Sequence, residues 1–339
     1  MECKSYQTIK AGNLNRLKLI SGDLEPPSDS QVQIEVVSIG LNFADIFAIL
    51  GLYSATPKGP FVPGLEVSGT IISTGSNANQ FAIGDRVMAV TRFGGYTTHL
   101  NLDEDYVVKL PDNWTFEEGA SFLVQALTAY YGLFTLGNLK PNDTVLIHSA
   151  AGGVGLLANR MVQKTGGYAI GTIGNSSKIS KLKEEGFQDW IVRNDKFEQT
   201  LKEELKGREL NIVMESIGGK VFKAGYNLLS PMGRVIIYGS ARYGSNYNFP
   251  NWPSLVYKYL TRPFIDPQSM IESNKAILGF NLIWLYDRKI LMKASMTELF
   301  KLDLTPPFVG HKFQFKDMLK AIKLFQSGTT IGKVVVNVK

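Results

Sequence analysis

The chain has 339 residues, 44% of them hydrophobic, which is ample for two buried cores and more than one domain. Thirty-six Lys and Arg against thirty Asp and Glu leave a net charge of +6, a mild excess that suits a phosphate-rich ligand and is insufficient to argue for nucleic acid. The single Cys3 excludes an internal disulfide framework, and with only His99, His148 and His311 beside it a Cys/His zinc site lacks ligands. No signal-peptide run and no uncharged apolar stretch long enough to span a bilayer is present, so a soluble cytoplasmic protein is expected.

Residues 1–120 read as mainly β. Strands are predicted at Gln31–Ser38, Val67–Ser73, Arg86–Val90 and Tyr106–Lys109, separated by Gly-, Pro- and Asn-rich turns. From about Gln125 the rhythm becomes strand then helix. Strands are predicted at Thr144–His148, Tyr168–Ile173, Trp190–Val192, Ile212–Glu215 and Arg234–Tyr238, with helices between them that include Lys178–Glu185 and Phe197–Leu205. This alternation predicts an α/β fold, a doubly wound parallel sheet with helices on both faces. The Pro-punctuated stretch Phe249–Pro267 reads as an irregular insertion, Lys275–Leu282 as one more strand, and the chain from about Ala294 as a return to the first domain. The domains are therefore expected at 1–124 with 294–339, and at 125–293.

Within the second domain, Val145, Leu146 and Ile147 form a short apolar run suited to a buried strand. Ala150, Ala151, Gly152, Gly153, Val154 and Gly155 follow, without a bulky group where strand should turn into helix. Backbone N–H groups can approach a phosphate closely there, and a helix starting near Val154 would aim its positive end at the anion. This is a variant of the G-x-G-x-x-G dinucleotide fingerprint. The next strand ends in Gly171-Thr-Ile-Gly-Asn-Ser-Ser-Lys178, with no carboxylate before Glu184 to hold a ribose 2′-hydroxyl. Ser176, Ser177, Lys178 and, after the following strand, Arg193 can instead receive a 2′-phosphate, so NADP(H) is the expected cofactor. The alternatives are a solvated lysine at a helix start and a surface arginine. Ile217, Gly218, Gly239 and Ser240 follow later strands, where doubly wound sheets bind ligands.

The chain resembles the zinc-free, zeta-crystallin-like quinone oxidoreductases of the medium-chain dehydrogenase/reductase superfamily. The residues that carry the resemblance are Gly40-Leu-Asn-Phe-Ala-Asp45, Pro63-Gly-Leu-Glu-Val-Ser-Gly69, Gly84-Asp-Arg-Val87, Gly94-Gly-Tyr96, Thr128-Ala-Tyr130, the fingerprint, Gly218-Gly219 and Ile331-Gly-Lys-Val-Val335. Arg262-Pro-Phe-Ile-Asp266 and Asn274-Lys-Ala-Ile-Leu-Gly-Phe-Asn281 look closest to the vesicle-amine-transport-protein branch. The resemblance implies a GroES-like catalytic domain beside the Rossmann domain. It also places Asn42 and Leu65 where zinc-dependent members carry Cys and His ligands, which predicts a site without metal.

The resemblance further implies catalytic roles for Asn42, Tyr53 and Thr128. Asn42 would bond a substrate carbonyl or the nicotinamide ribose, or serve only as a turn residue. Tyr53 would donate to a developing oxyanion or form an aromatic wall. Thr128 would sit near the nicotinamide or bond its i−4 carbonyl. Asp45 is expected at the substrate or as the cap of a short helix, Phe93 at the edge of the substrate pocket, Phe280 and Asn281 near the carboxamide, and Lys333 at a ribose or phosphate. The implied activity is NADPH-dependent hydride delivery to a quinone or α,β-unsaturated carbonyl. The alternative is a protein that keeps the fold but acts by binding phospholipid membrane or RNA, with Lys258-Tyr-Leu-Thr-Arg262 its one modest basic and aromatic candidate. A homodimer is expected through the apolar edge strand at Lys275–Leu282.

Overall fold

The computed structural model describes residues 1–339 and contains three sheets. Strands β1 (Glu2–Thr8) and β2 (Leu17–Asp23) form an antiparallel pair that the sequence reading did not anticipate. β3 (Gln31–Gly40), β4 (Glu66–Thr74), β5 (Arg86–Val90), β6 (His99–Asp103) and β7 (Val107–Lys109) follow, with helix α1 (Phe43–Ile49) between β3 and β4. In β3 the side chains of Val32, Ile34 and Val36 alternate into the core, as a pleated strand with one buried face requires.

Helices α2 (Phe116–Gly119) and α3 (Leu123–Tyr130) carry the chain to β8 (Thr144–Ile147), in which every residue is buried. There follow α4 (Gly153–Lys164), β9 (Tyr168–Ile173), α5 (Ile179–Glu184), β10 (Asp189–Val192), α6 (Phe197–Glu204), β11 (Leu210–Glu215), α7 (Gly219–Leu228) and β12 (Leu229–Ile237). After β12 come α8 (Trp252–Leu260), α9 (Pro267–Ser273) and β13 (Ala276–Gly279). The six strands β8 to β13 lie in the order β10-β9-β8-β11-β12-β13, all parallel. Counting from β8, this is the 3-2-1-4-5-6 order of a dinucleotide-binding sheet.

The stretch expected to be irregular is instead largely helical. Asn251 caps α8 by accepting from the Ser254 amide and Asp266 caps α9 by accepting from Gln268, while Pro253 and Pro267 occupy first-turn positions. Proline is tolerated there because its missing N–H would have no partner in any case. The strand expected through Leu282 stops at Gly279, and α10 (Leu282–Leu285) begins at once.

The chain then runs through α11 (Lys289–Lys301), β14 (Val309–Gln314), α12 (Met318–Gln326) and β15 (Lys333–Asn337). β15 pairs antiparallel with β3 and parallel with β14, giving a seven-stranded sheet of order β14-β15-β3-β4-β5-β7 with β6 on β3. One buried apolar cluster includes Ile34 and Val67 of this sheet, Leu127 of α3 and Ile147 of β8, so the two units share a continuous interior. Their junction is pinned where Gly332 donates its amide to Ala151 at 2.7 Å, directly at the fingerprint turn.

Candidate active site

A cavity of about 1240 Å³ lies between the two units, beyond the roughly 300–1,000 Å³ of an ordinary small-molecule pocket. Its dinucleotide side is lined by Ala151, Gly152, Gly153, Val154 and Gly155. Gly152 is the N-cap of the twelve-residue α4 and no side chain caps it, so the first-turn amides are open toward the cleft. A Cβ on Gly155 would stand 2.7 Å from backbone atoms of Ser149 and Ala150, which is why the turn tolerates no side chain there. Ser149 adopts a left-handed φ of 52° and its hydroxyl meets that of Ser216 at 3.1 Å. These residues fit a bound pyrophosphate.

Farther along, Ile173, Gly174, Asn175, Ser177, Lys178 and Arg193 line the corner beyond the end of β9. No carboxylate lies within ion-pair distance of Arg193, whose Nη1 donates to Thr172 Oγ1 at 3.1 Å. Burial pulls its guanidinium pKa down while Glu215 pulls it up, yet an arginine remains charged. A desolvated, unpaired guanidinium is suited to an anionic group. Lys178 is used differently from the expectation. Its Nζ donates to the carbonyls of Gly328 (2.7 Å) and Thr330 (2.8 Å), joining the two units across the cleft. Ser176 is exposed and outside the lining, and Gly218 is turned away as well, its φ of 88° forming a tight turn whose amide donates to Glu215.

The opposite wall holds a polar cluster around Asn42, one of the two positions that the resemblance assigns to zinc ligands. Asn42 Nδ2 donates to the Gly40 carbonyl and to Glu66 Oε1, while its Oδ1 accepts from Gln125 Nε2 at 2.7 Å and Lys333 Nζ at 2.9 Å. Glu66 Oε1 also accepts from Gln125 and forms a short ion pair with Lys333, and Oε2 accepts from the Val124 amide. Both donors and both lone pairs of the Asn42 amide are thus occupied. This corrects one expectation, since Asn42 borders the cleft but has no capacity left for a substrate carbonyl; Lys333, which also lines the cleft, commits two of its three N–H groups to Asn42 and Glu66. Burial pulls the Lys333 pKa down, opposed by Glu66. Leu65 lines the cleft beside this cluster, and no group of three or more His, Cys, Asp or Glu converges anywhere in the fold.

Asp45 is fully buried and outside the cleft lining. Its Oδ2 accepts from the Asn42 amide at 2.8 Å and from Tyr96 at 3.1 Å, so it caps α1 and does not face substrate. Desolvation pushes its pKa up to about 7 against the pull of those hydrogen bonds and of Lys333, and Oδ1 has no partner. Phe93 also leaves the cleft, since its φ of 79° turns the ring onto Phe61 at 5.5 Å.

Tyr53 and Asn281 meet across the cleft, the phenol donating to Asn281 Oδ1 at 2.7 Å. Burial raises the Tyr53 pKa to about 12, so it is a neutral donor at ordinary pH. Thr128 lines the cleft, but its hydroxyl hydrogen goes to the Val124 carbonyl at 2.7 Å, leaving only acceptor capacity. Ile217, Gly239, Ser240 and Phe280 line the cleft beyond the sheet's carboxyl ends. Gln125, Ser149 and Ser216 escaped the sequence reading. A lone polar residue in the apolar run Leu123-Val-Gln-Ala-Leu127 was the one available signal, for Gln125.

Comparison with known proteins agrees with this geometry. Residues 28–112 match the alcohol dehydrogenase GroES-like domain, and residues 153–262 match the family described as zinc-binding dehydrogenase. The human synaptic vesicle membrane protein VAT-1 homolog is 32% identical over 332 residues, covering 96% of this chain and 84% of that protein. A mycobacterial protein solved with NADPH superposes with a TM-score of 0.85 at 25% identity, covering 99% of each chain. A quinone oxidoreductase of Pseudomonas syringae pv. Tomato superposes with a TM-score of 0.82 at 26% identity, again covering 99% of each.

Proposed function

We propose that this chain, which belongs to the quinone oxidoreductase family of the medium-chain dehydrogenase/reductase superfamily near its VAT-1 branch, is an NADPH-dependent, zinc-independent reductase of conjugated carbonyl acceptors, quinones or α,β-unsaturated carbonyls. The observation that carries the reading is the internally bonded Asn42–Glu66–Gln125–Lys333 cluster facing a dinucleotide cleft whose ribose corner holds Arg193 and no carboxylate. Three N, S or O ligands are needed for catalytic zinc, and here an amide and Leu65 stand in two of those positions. Without a Lewis acid to activate an alcohol, the favoured acceptor is one already electrophilic by conjugation. NADPH, when bound, supplies the hydride. The α4 amides hold the pyrophosphate, Arg193 meets the 2′-phosphate, and Leu65, Val90, Leu282 and Ile283 exclude water at the reacting end. Tyr53 is the proton-bearing group that can turn from Asn281 to an acceptor oxygen as negative charge develops there.

The test is NADPH oxidation against a panel of small quinones and enones. Turnover is expected, and Tyr53→Phe should lower kcat by about 10²–10³ with unchanged NADPH affinity, the usual effect of losing one oxyanion donor. No turnover on any acceptor would defeat the reading. The free edge of β13, at one end of the six-stranded sheet, supports a homodimer. Light scattering that gives a monomer mass at micromolar concentration would reject that assembly.

A second reading, membrane association, has one observation behind it. α8 has no buried residue and, outside the cleft that Trp252, Val256 and Tyr259 line, exposes Tyr257 and Leu260 beside Lys258. No helix is long and apolar enough to cross a membrane, so any such contact would be peripheral. Sedimentation with anionic vesicles tests it.

A further inference from the structure

Beneath the ribose corner lies a row of buried polar groups that the proposed reaction does not use. His148 directly follows β8, Thr172 is on β9 and Glu215 ends β11, and none of the three is more than 1% exposed. Arg193 Nη1 donates to Thr172 Oγ1 at 3.1 Å. A guanidinium has no acceptor, so the threonine oxygen accepts there and its own hydrogen is free for His148 Nδ1, 2.8 Å away. The carboxylate of Glu215 facing the other ring nitrogen selects the tautomer that uses this donor. Burial keeps the ring neutral, Nδ1 is the acceptor, and Nε2 carries the hydrogen toward Glu215 Oε2 at 3.3 Å. This last contact is long and poorly aligned, yet neither atom has any other partner. The remaining carboxylate oxygen, Oε1, accepts the amides of Ile217 and Gly218, the latter at 2.7 Å.

Donation therefore runs from a guanidinium at the cleft through Thr172 and His148 toward Glu215, whose carboxylate also accepts from the amides of the loop on the other side of the fingerprint. Such a network is costly to bury unless it does something that apolar residues of the same volume could not. Its two ends are the clue. Arg193 and Ile217 both line the cleft, on either side of α4. Arg193 is also seated sterically, since a Cβ on Gly174 would stand 3.1 Å from its Nη2. Thr172 is the contact that sets where the guanidinium points.

We propose that Thr172, His148 and Glu215 are positioning residues that hold Arg193 against the cofactor's 2′-phosphate, so that preference for the phosphorylated dinucleotide is set by a relay behind the binding surface as well as by Arg193 itself. This rests on the NADPH reading above. The 2′-phosphate gains a charge-assisted hydrogen bond only if the guanidinium arrives preoriented; a freely rotating arginine surrenders part of that gain to ordering its own side chain. NADH lacks the group that Arg193 would meet, so the relay has nothing to contribute to its binding.

The experiment is equilibrium binding of NADPH and of NADH to the full chain, followed by nucleotide fluorescence, with thermal unfolding measured in parallel. Thr172→Val keeps the shape and removes the hydroxyl. It should raise the NADPH Kd about tenfold, near the lower end of what one charge-assisted hydrogen bond is worth, and move the NADH Kd less than about twofold. Thr172→Ser restores the hydroxyl and should restore NADPH binding. His148→Leu breaks the next link and should weaken NADPH selectively in the same way. Equal weakening of both nucleotides, or no change in either, would overturn the relay while leaving the NADPH assignment intact. Equal affinities for the two nucleotides in the unmutated protein would overturn both. If Thr172→Val fails to fold, the serine and leucine variants decide between the same outcomes.

Discussion

The cleft has two cationic corners, and they are built in opposite ways. On the catalytic side Lys333 is paired with Glu66, bonded to Asn42 and only 3% exposed at its side chain. On the dinucleotide side Arg193 has a threonine and no carboxylate. In the first corner the Asn42 amide is fully occupied and the ammonium is paired with a buried carboxylate, so the charge there is largely committed to the floor of the site. In the second the charge is left in credit and can be spent on an anion. The presence of a cation beside a cleft therefore does not make a binding residue; its unspent hydrogen bonds do.

Four experiments break or sharpen that contrast. Removing one partner from the closed corner should have the largest effect. Glu66→Ala leaves a buried ammonium unpaired and should lower unfolding free energy by about 3–5 kcal/mol, read from urea denaturation. At the open corner the loss should fall on ligand instead of fold. Arg193→Ala should weaken NADPH by about 1.5–3 kcal/mol in a binding titration, with NADH affinity and urea midpoint little changed. A large loss of stability in this variant would erase the distinction.

The third experiment uses Asp45, which borders the closed corner. Its folded pKa, raised by burial to about 7, lies above its ordinary value. Between those two values the folded chain binds more protons than the unfolded one, so the stability from this group is present in acid and lost as pH rises toward 7. Asp45→Asn should therefore gain in melting temperature relative to the parent between about pH 5 and about pH 8. A parallel shift of both proteins would show that Asp45 does not titrate there. The smallest effect is none at all: on the proposed reading NADPH oxidation should survive exhaustive chelation, because an amide and Leu65 stand at the positions that the resemblance assigns to zinc ligands. Activity lost on chelation and recovered with zinc would mean that the closed corner opens.

The two corners also differ in how readily the sequence revealed them. The fingerprint turn was legible because its requirements are local: an apolar strand, small residues and a helix, all within Thr144 to Lys164. The absence of an acid after β9 was legible for the same reason, being a matter of a few neighbouring positions. The strand-and-helix alternation of the Rossmann unit followed from periodicity, although the reading missed β1, β2, β6, β14 and β15 and took the capped prolines of α8 and α9 for irregular chain. At those prolines the breaker signal was read without asking whether it stood at a first turn, where it starts a helix.

What the sequence by itself determined was the family, the two-part fold class and the place where a dinucleotide can lie, because backbone geometry at a glycine turn depends on adjacent residues. Only the tertiary structure decided which polar side chains remain available. Asn42, Glu66, Gln125 and Lys333 come from four separate stretches, and Lys178 is engaged by carbonyls 150 and 152 residues away. A side chain's type fixes how many hydrogen bonds it can make, but the fold fixes how many are already made, and the remainder is what a ligand can use.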